Sequence, residues 1–154
     1  MDEISFGIDD ELYEMCNWEC VSIFINSRNL KDFVREVELP YAIQQGLPKM
    51  AGKYQGLPAK VALLPSRHFL GEPYFSYGFK SYLDVLVCPC GEPMCSPLTT
   101  TTILTETEIV WHNFNNPIRG RPSRQVVWKY DLLGPFRFDR KQFEDALKKA
   151  TECR

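Results

Sequence analysis

Several things are missing or scarce in this sequence, and each absence narrows its reading. No apolar run is long enough to span a bilayer, which needs about 20 residues. The start, Met1-Asp2-Glu3-Ile4, lacks the basic opening and apolar stretch of a secretory signal, so the expected location is cytoplasmic, with no membrane partner. Histidine occurs only twice, at His68 and His112. There is no Gly-x-Ser-x-Gly, no His-Glu-x-x-His and no phosphate-binding loop. Without a nucleophile–base pairing or a cofactor fingerprint, the chain is expected not to be an enzyme and to carry no cofactor. Internal repeats are absent too. Residues 1–20 contain no Lys or Arg at all, against seven carboxylates, so the remaining residues carry a net charge of +5 within an overall −2.

What is present points to a small globular domain. The 154 residues, 44% hydrophobic and 13% aromatic, are enough for one domain with a core rich in large rings. Ile4, Phe6 and Ile8 alternate with Ser5 and Gly7 and predict a short strand, broken by Asp9-Asp10-Glu11. Trp18 to Ile25 alternates more clearly. Leu30, Phe33, Val34 and Val37 form the apolar stripe of a helix from Leu30 to Leu39, with Asn29 as N-cap and Pro40 as its end or kink. Strands are predicted at Lys60–Leu64, Tyr82–Cys90, Ser96–Leu104, Glu108–Phe114 and Gln125–Asp131. In the fourth, Val110, His112 and Phe114 are set on one face, with Ile109, Trp111 and Asn113 on the other. Asp139 and Gln142 have capping-box spacing ahead of a second helix whose stripe is Phe143, Ala146, Leu147 and Ala150. The expected fold is therefore α+β: an antiparallel sheet of about five strands with two helices packed on one face. The single domain, 1–154, includes an acidic N-terminal segment (1–17) and an irregular, Gly/Pro-punctuated loop region (46–79).

The stretch Cys90-Gly91-Glu92-Pro93-Met94-Cys95, then Val110-Trp111-His112-Asn113-Phe114, then Gly134-Pro135-Phe136-Arg137-Phe138-Asp139-Arg140, carries a resemblance. It resembles a widespread family of small uncharacterised bacterial proteins with a Cys-Gly-Glu-x-x-Cys / Val-x-Trp-x-x-Phe / Gly-Pro-Phe-x-Phe-Asp-Arg pattern. Met94 stands where that family tends to have glycine. The resemblance implies a bacterial source and supplies no catalytic residues.

Two site hypotheses follow. Cys88, Cys90 and Cys95 fall within eight residues, and with His112 they could supply the four ligands of a zinc ion in a zinc-stabilised accessory domain. Against this stands the spacing: Cys-x-Cys is not the usual zinc knuckle, and the bland reading is a hairpin turn that fixes strand register. The basic residues from Arg119 to Lys141, interleaved with Trp128, Phe136 and Phe138, fit a solvated face better than a nucleic-acid platform, because the chain is acidic overall. The leading expectation is a non-catalytic protein-binding role, such as a bacterial immunity protein that neutralises a basic toxin domain in a toxin–antitoxin pair. Asp9, Asp10, Glu11 and Glu14 are the partner-binding candidates, with Glu106 and Glu108 as outsiders.

Overall fold

The computed structural model describes residues 1–13, 16–74, 82–89 and 96–154, with side chains placed for all of these except 10–13 and 16–18. Cys90 to Cys95, the turn on which the thiol hypothesis rests, and Glu14 lie outside the described residues.

The chain opens with a long hairpin, β1 (Ile4–Tyr13) and β2 (Cys16–Ile25), paired in unbroken antiparallel register from Ile4↔Ile25 to Tyr13↔Cys16. The strand does not break at Asp9-Asp10-Glu11. A partner strand offering a hydrogen bond at every second residue overrides the poor strand propensity of acidic residues. A two-residue strand, β3 (Arg28–Asn29), turns back on β2 and delivers the chain into α1 (Leu30–Gln44). Asn29 caps α1 as expected, its side chain accepting from the Lys31 N–H at 2.9 Å. The helix does not end at Pro40 but runs through it to Gln44.

The middle of the chain departs most from expectation. A 3-10 turn at Pro48–Met50 leads to β4 (Gln55–Pro58), and the predicted strand at 60–64 is instead the single turn α2 (Ala59–Ala62). Its four residues follow Pro58 directly and bury Ala59, Val61 and Ala62. Short as it is, β4 is the hinge of the sheet: Pro58 and Leu57 pair with Cys20 and Val21, while Gln55 and Gly56 pair with Val87 and Leu86. Only glycine fits at position 56, because a Cβ there would lie 2.3 Å from the Val21 carbonyl oxygen.

The second half is a meander of β5 (Tyr82–Val87), β6 (Leu98–Leu104), β7 (Glu108–Asn115) and β8 (Phe136–Asp139), followed by α3 (Arg140–Glu152). Among the described residues the sheet has eight strands, not about five, in the order β1-β2-β4-β5-β6-β7-β8, with β3 on β2, and there are three helices, not two. The expected strand at 125–131 is absent; β8, which the short Phe-Arg-Phe alternation did not flag, takes the place beside β7. The sheet curls far enough that its ends touch: Asp2, just before β1, bridges Phe138 of β8 in parallel, and the Asp2 N–H donates to the Arg137 carbonyl at 2.8 Å. The result is nearly a barrel.

The core is aromatic. Trp111, Phe69, Phe138 and Phe143 are fully buried and meet edge-on or tilted with ring centroids 5.3–6.2 Å apart. Phe33 of α1 meets Phe136, and Phe143 of α3 meets Phe138, so both long helices reach the same face of β8. The expected face assignment of β7 fails at one point. Asn113 takes φ of 51°, and the β6–β7 register shifts between Thr99 and Thr101, so Phe114 swings round to be buried like Trp111. A β-bulge inserts one residue and reverses the alternation beyond it.

Candidate functional site

Three polar constellations stand out from the apolar core. In the first, α1 presents Leu30, Val34, Glu38 and Ala42 inward at four-residue spacing, which places a carboxylate on the buried face. Glu38 is wholly buried. Its Oε2 accepts from the hydroxyls of Tyr54 and Tyr130, each at 2.6 Å, and its Oε1 from the Gly52 N–H at 2.8 Å. The Arg119 guanidinium approaches at 3.5 Å, lying over the Trp128 ring (4.6 Å) and beside that of Tyr54 (5.6 Å). Gly52 holds φ of 68° with its Cα against Arg35, so a side chain there would clash as well as strain the backbone. Asn116 completes the knot, donating to the Tyr54 hydroxyl and accepting from the N–H groups of Ile118 and Arg119. Burial and the adjacent carboxylate push the Tyr54 and Tyr130 hydroxyls far above the usual phenol range, so both remain donors. Every member is satisfied within the protein. The cluster fastens the loops 46–54 and 116–130 to α1; breaking a buried ion pair of this kind costs about 3–5 kcal/mol. The signal in the sequence was Glu38 itself, four residues beyond Val34 on the apolar stripe.

The second is Asp84 on β5, wholly buried, with no hydrogen-bond partner for either carboxylate oxygen among the described residues. Burial raises its pKa to about 7. Its main-chain carbonyl accepts from Nε2 of the buried His68 at 2.8 Å, while His68 Nδ1 accepts from the Tyr74 N–H at 2.8 Å. With Nδ1 an acceptor, the proton sits on Nε2, and burial lowers the imidazole pKa, so His68 is a neutral, structural ring. The apolar run around Asp84 hinted at this burial.

The third is the acidic arm. Register puts Asp9 opposite Cys20, Asp10 opposite Glu19 and Glu11 opposite Trp18. β2 pairs with β4 only at Cys20 and Val21, so the distal part of the hairpin has no further strand neighbour among the described residues. Two acidic residues directly across a ladder repel one another. Asp9 is exposed and its carboxylate accepts from the Ser22 hydroxyl; among the described residues neither it nor Glu3 has a cation within salt-bridge range. Glu19 meets Arg154 at 3.4 Å.

The remaining predicted residues are not gathered into one place. Glu108 is paired with Arg137 at 2.7 Å, and Glu106 lies in the exposed turn before β7. His112 stands level with Thr101 and, one strand on, Tyr82, whereas Cys88 lies six residues beyond Tyr82, just past the end of β5. At about 3.3 Å per residue that separation is on the order of 20 Å, so His112 and Cys88 cannot share a metal ion. Among the described residues no group of three His, Cys, Asp or Glu side chains lies together. Part of the basic stretch is occupied: Arg119 is inside the Glu38 cluster, Arg137, Arg140 and Lys141 pair with Glu108, Glu144 and Asp145, and Trp128, Phe136 and Phe138 are buried, whereas Arg121 and Lys129 stay exposed.

The chain matches no family model, no curated protein and no solved structure. Among the described residues no helix is long and apolar enough to cross a membrane.

Proposed function

We propose that the protein acts by binding, not by catalysis, and that the β1–β2 hairpin presents its acidic residues to a basic protein partner. The observation that carries this reading is the hairpin's register. Asp9, Asp10 and Glu11 follow one another in β1, Glu19 stands opposite Asp10, and the arm has no Lys or Arg of its own to neutralise them. A protein that keeps like charges face to face gives up stability, and a cationic partner relieves the repulsion on docking. The same field steers a basic partner in from solution at rates that fall with ionic strength. A toxin domain that binds nucleic acid through a basic cleft has the complementary chemistry.

Affinity capture from the source cells tests it, using the wild-type chain and the Asp9→Lys/Asp10→Lys/Glu11→Lys variant as paired baits. The expected result is one protein with a basic domain held by the wild type, lost with the variant and released by added salt. Equal recovery by both baits, or no specific protein on either, overturns the reading.

A further inference from the structure

The sheet closes incompletely, and the seam is a groove of about 910 Å³ between β1 and α3. Main-chain groups of odd-numbered residues in β1 face β2, as the Asn26 N–H to Glu3 carbonyl bond shows. Those of even-numbered residues face the seam, since both groups of one strand residue point to the same edge. Asp2 spends its N–H on β8. At Ile4, β8 has already ended, and a side chain takes over: Gln142 of α3 accepts from the Ile4 N–H at 3.1 Å and donates to the Ile4 carbonyl at 2.7 Å. Its amide stands in for the peptide group of a missing strand. The next two positions, Phe6 and Ile8, have no such substitute, and their seam-facing N–H and C=O groups find no partner among the described residues. Opposite them α3 offers Ala146 and Ala150, small residues that leave the groove open.

We infer that this edge is a strand-addition site, which an extended basic segment of the partner enters to pair its main chain with Phe6 and Ile8. Unpaired edges of this sort template added strands, with backbone bonds giving affinity and side chains giving selectivity. Charge selects the occupant. The groove is lined by three carboxylates and two ammonium groups; once Lys141 and Asp145 pair, Glu3 and Asp139 remain against Lys149, an excess of one negative charge. β1 then continues past the groove into Asp9, Asp10 and Glu11. A second copy of this chain would bring its own seven N-terminal carboxylates to the same edge, so a basic strand is favoured over self-pairing. The sign of the partner's charge rests on the acidic-hairpin reading; the strand pairing rests on the seam alone.

The probe is an acetylated, amidated octapeptide of alternating lysine and valine, with a control of the same sequence N-methylated at every second residue. Binding is followed by fluorescence anisotropy and by amide hydrogen exchange. The expected result is saturable binding that protects the Phe6 and Ile8 amides, weakened at least about tenfold by N-methylation, by Ile8→Pro and by Ala146→Arg. Ile8→Pro removes a seam-facing N–H without touching the β1–β2 ladder, and Ala146→Arg fills the groove from a half-buried position of α3, so the two perturb different elements. If the peptide fails to bind, or if N-methylation and both variants leave binding unchanged, strand addition is overturned. Loss of such binding with Asp9→Lys/Asp10→Lys/Glu11→Lys then leaves the hairpin reading standing alone. Undiminished protection in that charge-reversed variant overturns the hairpin reading and keeps the edge. Protection of Phe6 and Ile8 in peptide-free protein, appearing with dimer in sedimentation, makes a second copy the occupant and overturns the proposal.

Discussion

Asp84 is the residue whose chemistry departs most from its ordinary state. In the unfolded chain its carboxyl titrates near 3.9, as aspartates do. Folding raises that to about 7, because burial penalises the anion and no donor compensates. Below pH 4 the group is protonated in both states and favours neither. Between pH 4 and 7 the unfolded chain releases its proton while the folded one retains it, so stability falls as pH rises. Above pH 7 both are ionised and the loss is complete, on the order of 4 kcal/mol for a shift of this size. Asp84→Asn removes the ionisation and keeps the shape. Its urea-unfolding stability is expected to exceed the wild type's at pH 8 and to change less between pH 4 and 7; a variant that tracks the wild type across that range removes the argument. Glu38 is the contrast. It too is wholly buried, but two tyrosine hydroxyls, a main-chain N–H and Arg119 meet it. Two carboxylates at equal depth thus differ in one thing, the presence of partners.

At the scale of elements, what could be read from the sequence was what local rules decide. Asn29 and Asp139 were visible as caps, and both accept the expected main-chain N–H. The stripes of α1 and α3 were visible because a helix writes its buried face in its own residues. β4 and β8 were not, since each is held by neighbours distant in sequence, and β1 beyond Ile8 was hidden by its acidic residues although its partner, Cys16 to Cys20, follows directly. The absent strand at 125–131 belongs with them: Val126, Trp128 and Tyr130 alternate, but Trp128 and Tyr130 are drawn to the Gln45 amide and to Glu38 instead of to a ladder. The acidic candidates could be listed by number, whereas the groove beside β1 could not, because it is made by where β8 stops. The bulge in β7 was equally hidden. Asn113 holds φ of 51° with its side chain exposed, so replacing it tests the backbone alone. Valine is expected to be less stable there than glycine by about 1–2 kcal/mol, reversing the usual strand preference. Thermal unfolding of Asn113→Val and Asn113→Gly measures it, and a more stable valine variant removes the bulge argument.

For the molecule as a whole, the decisive feature is a sheet that nearly meets itself. Closure abolishes edges, and a partial closure leaves one edge to be managed. Here the management is graded along β1: backbone at Asp2, the Gln142 amide at Ile4, and no partner among the described residues at Phe6 and Ile8. Gln142→Ala isolates the middle grade. The capping of α3 survives, since Asp139 binds the Gln142 main-chain N–H and not its side chain. Two partly buried hydrogen bonds are lost, each worth about 0.5–1.5 kcal/mol net, so unfolding stability should drop by about 1–3 kcal/mol. The Ile4 amide should lose exchange protection while the Glu3 and Gly7 amides, which face β2, keep theirs. The same substitution extends the open edge by one residue, to Ile4, and the lysine–valine octapeptide should therefore bind the variant more tightly than the wild type. A destabilised variant with unaltered Ile4 exchange and weaker peptide binding would show that Gln142 supports the helix and not the seam.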